Sequence, residues 1–307
     1  MCTARKSAGD ALVRLDPCEV VLEACAVSHH WARQIAQSGH RVRLISPQHV
    51  KPFRRGQKND YRDAEAIISA ALSPGIHFVG VKHVEQQAGQ ALHRVRSRLL
   101  SHRNAAASEL RGLLGEYGLA FSQGIKPLRA GAVRFADSDQ AQALGLVELV
   151  WDVLEELDQL QHRLDEYTRR IEQRVVNNAT SQRLRDELLG VGPLGASALR
   201  VKVADARDFV NGRNFAAFLG MAPGHRGTGG TVKIGKIRRG HDRYLRQLLI
   251  HGARAVVQHL GDKQDPQSCW LRGVLERRGF NIAVVAQAHK NARQAWAILA
   301  REQALQD

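Results

Sequence analysis

Cysteine is scarce in this chain, and its four copies, Cys2, Cys18, Cys25 and Cys269, include no Cys-x-x-Cys spacing. That disfavours a zinc ribbon and a disulfide scaffold and predicts reduced thiols in a cytosol. Long apolar runs are missing too. No stretch approaches the roughly 18 residues of a membrane-spanning helix, and no apolar segment follows Met1, so the expectation is a cytoplasmic protein with no membrane partner. Acids are the third shortage. Thirty Asp and Glu face 45 Lys and Arg, a formal charge of +15, with a pI near 10.3. Such a surface repels itself unless a polyanion is present, which points to nucleic acid before small acidic substrates, although a ribosomal or membrane-surface protein would share the charge. Disorder is not the expectation: 307 residues with 44% hydrophobic and 24% charged content allow two or three domains with real cores.

What is present centres on the stretch from Phe218 to His251. Phe-Leu-Gly-Met-Ala-Pro leads into the Gly-rich bend Gly224-His225-Arg226-Gly227-Thr228-Gly229-Gly230, then a basic run from Lys233 to Arg239. Glycines let the backbone approach a polyanion, Arg226, Lys233, Lys236, Arg238, Arg239, Arg243 and Arg246 supply positive charge, and Thr228 offers a hydroxyl. Asp242 is nearly the only opposing acid. A Gly-rich turn followed by a solvated cationic helix accounts for the same residues.

Residues 18–23 read as the first strand, Trp31 to Ser38 as a helix closed by Gly39, and 41–45 as a second strand stopped by Pro47. A helix follows from Asp60 to Leu72, ended by Ser73-Pro74-Gly75. Strand, helix, strand, helix implies a parallel α/β layer. Three acids stand out in it: Glu23 ends its strand, and Asp60 and Asp63, three apart, share one helix face. Carboxylates about 4 Å apart repel by several kcal/mol at an effective dielectric near 20, so a cluster of the three needs a cation or a proton. Oxygen-only ligands suit Mg²⁺ or Mn²⁺. Acids in a first helical turn also simply favour the dipole.

From Val84 to Glu116 the pattern is helical and basic, with His93, Arg94, Arg96 and Arg98 around Leu92, Val95 and Leu99. Tyr117 to Ala141 reads as a loop-rich tip. Val150, Val153, Leu157, Leu160, Leu164, Tyr167 and Ile171 form a heptad seam, so the two helices make a coiled-coil arm, closed within the chain or with another protomer. A compact helical unit follows from Arg183, with Phe209, Phe215 and Phe218 on its buried face and Ser197 as a small packing residue. Its opening, Gly190-Val191-Gly192-Pro193, reads either as a helix-hairpin-helix turn with N–H groups facing phosphate or as a plain helical hairpin. The expected domains are 1–80, 81–182 and 183–307. The fold class is α/β plus mostly α: a small sheet, a helical arm and a helical C-terminal domain.

Several ordered segments resemble the IS one-ten family of insertion-sequence transposases, in particular its IS eleven-eleven group. They are Glu23-Ala24-Cys25, His30-Trp31-Ala32-Arg33, Lys58-Asn59-Asp60-x-x-Asp63, Arg243-x-Leu245-Arg246-x-Leu248-Leu249 and Ala288-His289-Lys290-Asn291-Ala292-Arg293. The resemblance spans Pro17 to Leu299. It implies an RNase H-like, RuvC-like sheet with four metal-binding acids in the order Asp, Glu, Asp, Asp, and a C-terminal Ser that attacks the phosphodiester. It also implies partners: DNA, a structured noncoding guide RNA, and further copies in a dimer or tetramer, in a bacterial cytoplasm and associated with the nucleoid. Glu23, Asp60 and Asp63 match the second, third and fourth acids. The first acid has no counterpart, so the resemblance implies an N-terminally truncated sheet, which would expose apolar edges at Val20-Val21-Leu22 and Leu44-Ile45. Gly227 stands at the nucleophile position with Thr228 beside it, so weak or no recombination is expected. The alternative is a noncatalytic remnant that binds DNA or RNA.

Overall fold

The computed structural model describes residues 14–54, 56, 59–228, 231–237 and 242–304. The alternating segments near the front form strand β1 (Glu19–Glu23) and strand β2 (Arg41–Ile45), joined by helix α1 (Ser28–Gln37). The two strands pair in parallel, with Glu19 opposite Arg41 and Glu23 opposite Ile45. A crossover helix is what a parallel pair requires. The layer is mixed, however, because a two-residue strand β3 (Phe78–Val79) runs antiparallel to β2. Two residues are too few to leave an alternation in the sequence.

After β2 the chain makes a short helix α2 (Pro47–Val50) and a single 3-10 turn over Lys51–Phe53. Pro47 occupies the first helical position, where its missing N–H costs nothing. Helix α3 (Asp60–Leu72) has the expected bounds, and Asn59 caps it by accepting from the Arg62 N–H at 2.8 Å. Val50, Ala66 and Ala70 pack on Ile45. Leu44 and Ile45 are fully buried, so this pair does not form the exposed apolar edge expected of it, while Val20, Val21 and Leu22 on the outer strand are half-buried.

Helices α4 (Val84–Gly115) and α7 (Val147–Val176) make the arm. They are antiparallel neighbours. Leu99, midway along α4, clusters with Leu160 and Leu164 of α7, while Leu110 and Leu114, nearer the end of α4, cluster with Val150, Leu154 and Leu157, nearer the start of α7. The helices thus close on each other within one chain. The buried stripe of α7 includes Leu154, whereas Val153 and Tyr167 of the expected seam are only half-buried. The predicted loop-rich tip is helical instead, with helix α5 (Ile125–Ala136) and helix α6 (Asp139–Ala143). Pro127 sits in the first turn of α5, where it is compatible with a helix. Leu128, Ala132 and Phe135 bury against the arm.

The C-terminal unit is the largest core. Helix α8 (Ala179–Glu187) turns into helix α9 (Pro193–Lys202), followed by helix α10 (Gly212–Phe218). Two strands, β4 (Pro223–Thr228) and β5 (Thr231–Ile237), pair antiparallel. The chain then ends in helices α11 (Arg243–Gln258), α12 (Pro266–Arg278) and α13 (Phe280–Ala304). Phe215 is fully buried; Phe209 lies 5.1 Å, ring centre to ring centre, from both Phe215 and Phe218, but Phe218 is partly exposed. The α8–α9 turn is clamped from α13: Asn291 donates to the Leu189 carbonyl at 2.9 Å, and Gln287 donates to Asn291 at 2.8 Å. Among the described residues no helix is long and apolar enough to cross a membrane.

Candidate active site and nucleic-acid interface

Strand β1 delivers Glu23 at its end, and the first turn of α3 delivers Asp60 and Asp63. The 3-10 turn between them delivers Arg54. Its guanidinium lies 2.7 Å from a Glu23 oxygen and 3.3 Å from an Asp63 oxygen. The structure therefore brings Glu23 and Asp63 to opposite sides of one cationic group, both partly shielded from water. Asp60, in the same first helical turn as Asp63, is exposed. Among the described residues no cluster of three His, Cys, Asp or Glu side chains is arranged to hold a metal ion. The guanidinium meets the charge demand that the sequence assigned to a metal or a proton. Arg54 carried no sequence signal beyond being one arginine among many.

Residues 223–228 of the Gly-rich bend and 231–237 of the basic run form paired strands, not a loop followed by a helix. Arg226 pairs with Lys233, Gly227 with Val232 and Thr228 with Thr231, with a register shift between Pro223 and His225. Gly235 allows a tight crossing there: a Cβ on it would stand 3.3 Å from the Gly224 carbonyl oxygen. The side chains of Arg226, Thr228, Lys233 and Lys236, and the whole of Gly229, Gly230, Arg238 and Arg239, lie outside what the structure describes. Arg243 is exposed and Arg246 half-buried in the first turn of α11. Cations there oppose the helix dipole, a cost that a bound polyanion would relieve.

Asp242 caps helix α11, the next described element after β5. Its carboxylate accepts from Lys202 Nζ at 2.7 and 3.0 Å and from the Leu245 N–H at 2.9 Å, so one side chain neutralises a shielded lysine and caps α11. Behind this pair runs a buried polar seam. His93 Nε2 lies 3.0 Å from Ser197 Oγ and His93 Nδ1 lies 3.0 Å from the Tyr244 hydroxyl. Burial, reinforced by the charges of Lys202 and Arg96, pushes the His93 imidazole down to about 4. Thus His93 is not one of the surface cations of the arm, and Ser197 is hydrogen-bonded as well as packed. Lys82 is buried nearby, donating to Gln90 at 3.2 Å; burial first, then Lys202, pushes its amine down to about 8.

Lys82 also joins the sheet layer to the C-terminal unit. Its carbonyl accepts from Arg33 of α1 at 2.6 Å, and a Cβ on neighbouring Gly80 would come within 2.8 Å of Ala204 Cβ and an Asp208 oxygen. The segment after β3 thus lies directly against the chain leaving α9, and Lys202 at the end of α9 pairs with the Asp242 cap of α11. Nothing local in the sequence says that His93, Ser197 and Tyr244, residues so far apart, meet.

Residues 182–267, which span α9, the hairpin and α11, match the profile of the transposase IS116/IS110/IS902 family. Across nearly the whole chain there is similarity to a probable family 20 transposase of Pseudomonas aeruginosa, 45% identical over 300 residues, covering 97% of this chain and 88% of that protein. The transposase for insertion sequence element IS1111A of Coxiella burnetii is 40% identical over 289 residues, covering 92% and 78%. The transposase for insertion sequence element IS1328 of Yersinia enterocolitica is 36% identical, covering 94% and 85%.

Proposed function

Because the chain belongs to the IS116/IS110/IS902 family of transposases, we propose that it cuts and rejoins DNA at a composite site made by the front carboxylates and the hairpin. The observation that carries this reading is the shared cation position between Glu23 and Asp63. In this reading the three-stranded layer belongs to a RuvC-like nuclease fold. Glu23 and Asp63 are hard oxygen donors that fit Mg²⁺ or Mn²⁺ once Arg54 swings toward solvent, where its 40% exposed side chain already reaches, and Asp60 of the same helical turn is the third donor this reading assigns. A bound divalent ion would supply charge stabilisation for the attacking and leaving oxygens.

The chain's own residues do the rest. Backbone N–H groups and cations of the hairpin hold the DNA phosphates, and Asp242 with Lys202 fixes the start of the helix that follows it. Thr228 is the hydroxyl candidate. Its oxygen bonds to phosphorus as the bond to the leaving sugar oxygen breaks, and its proton passes through solvent to that oxygen. Gly227 at the family's usual nucleophile position makes the reaction slow. A structured noncoding guide RNA and further copies of the chain complete the assembly.

The test is DNA cleavage by the purified full chain with Mg²⁺ on a duplex carrying the element's end. Asp63→Asn is expected to remove the product while leaving DNA binding within a few-fold. Unchanged cleavage in that variant would contradict the proposal. Binding without cleavage by the unsubstituted chain would favour the noncatalytic remnant.

A further inference from the structure

The start of α10 lies directly on α13. Gly212 makes this approach possible, since a Cβ there would stand 3.0 Å from the Arg293 carbonyl oxygen and 3.1 Å from its Cα. Asn211 caps the turn, accepting from the Arg213 and Asn214 N–H groups at 2.9 and 3.0 Å. The close approach places Arg213 beside Arg293, and with Lys290 they line an open cavity of about 600 Å³ floored by Trp296. None of the residues lining it is acidic. Both arginines are exposed, and among the described residues neither guanidinium has an acidic partner. Trp296 is held rigid by its own indole N–H, which donates to the Ala206 carbonyl at 2.9 Å. The positive potential registers on a neighbour: burial first, then the charges of Arg293 and Arg213, lower the His289 pKa.

Two exposed arginines and a half-buried lysine, whose ammonium also lies 4.7 Å from the Trp270 ring centre, line one concave wall and repel one another, and a protein keeps such an arrangement at a cost that an anion removes. We infer that this cleft is a phosphodiester-binding site, in which Arg213, Lys290 and Arg293 grip consecutive phosphates of a nucleic-acid backbone away from the hairpin. The inference rests on the nucleic-acid reading above and adds to it a second contact surface. Arginine forks suit phosphate geometry, and a cavity of this size takes one or two nucleotides. A second grip on the backbone holds the strand while the hairpin works on one linkage.

The experiment measures dissociation constants against KCl concentration for the full chain, with a DNA duplex and a single-stranded RNA as separate probes. It compares the unsubstituted protein, the triple variant Arg213→Gln, Lys290→Gln, Arg293→Gln, and a charge-matched triple variant of exposed arm residues, Arg134→Gln, Arg163→Gln, Arg169→Gln. Thermal melts check that all three fold. The cleft variant is expected to lose about two to three units of log–log salt slope and at least ~30-fold in affinity at low salt on one probe, with the arm variant changed by less than about threefold. The probe that responds identifies whether DNA or RNA occupies the cleft. Equal slopes for the cleft and arm variants on both probes would overturn the inference while leaving the nucleic-acid reading intact. A flat slope for the unsubstituted chain would overturn both.

Discussion

Glu23 and Asp63 answer to the same guanidinium, Arg54 lying 2.7 Å from the one and 3.3 Å from the other. Residues from the end of a strand and the start of a helix are thereby held on either side of one positive charge. A cation of another kind can take that place only if Arg54 leaves it.

Removing Arg54 therefore has a condition-dependent outcome. Arg54→Ala is expected to lower stability by about 1 kcal/mol or less in EDTA, because the pairs are partly exposed. Millimolar Mg²⁺ then restores the melting temperature, since the two carboxylates regain a counter-charge. Melting curves with and without Mg²⁺ check this, and a loss that Mg²⁺ leaves unchanged contradicts it.

Acid should weaken the fold over a defined window. His29 and His93 are both pushed down to about 4, by burial first, from an ordinary value of 6.5. Their contribution is complete above 6.5 and is lost as pH falls through 4. Asp208 acts oppositely: burial raises it to about 6, so its contribution is present below its ordinary 3.8 and is lost as pH rises through 6. Two groups outweigh one, so urea midpoints are expected to fall from pH 6.5 to pH 4.5. His93→Gln should flatten that slope, and an unchanged slope would show that His93 is not buried as described.

Two glycines predict opposite effects of the same substitution. Gly252 of α11 and Gly190 pack backbone to backbone, and a Cβ on Gly252 would overlap the Gly190 carbonyl oxygen. Gly252→Ala should cost about 2 kcal/mol or more. Gly112 in α4 has nothing within 4 Å of a built Cβ, so Gly112→Ala should stabilise by up to about 1 kcal/mol through helix propensity. Denaturant unfolding of both variants separates them.

The pair at the start of α11 predicts a separable defect. Asp242→Asn leaves a cap but strips Lys202 of its charge partner in a shielded position. The variant should lose stability by about 1–3 kcal/mol, and Lys202→Met in the same background should recover part of the loss. A double variant no better than the single one would count against a direct pair.

The sheet, the arm and the helix over Asp60–Leu72 were legible because each carries a periodicity of its own: alternation at 41–45, a Gly39 stop, a heptad-like stripe in α7. The hairpin was hidden because its glycines and cations fit a loop as well as a strand, and β3 because two residues carry no period. In the candidate site the carboxylates could be read from spacing and resemblance. Arg54, the His93–Ser197–Tyr244 seam and the Lys202–Asp242 pair could not, since each depends on contacts between residues far apart in the chain.

The central claim is that the front carboxylates and the hairpin act on one linkage. Fe²⁺ placed at the Glu23, Asp60 and Asp63 position, with ascorbate and peroxide, generates short-lived radicals that cut polypeptide nearby. In the DNA complex the account predicts cuts within 223–237 as well as around 19–63, all lost in Asp63→Asn. Cuts confined to the 19–63 region would contradict it.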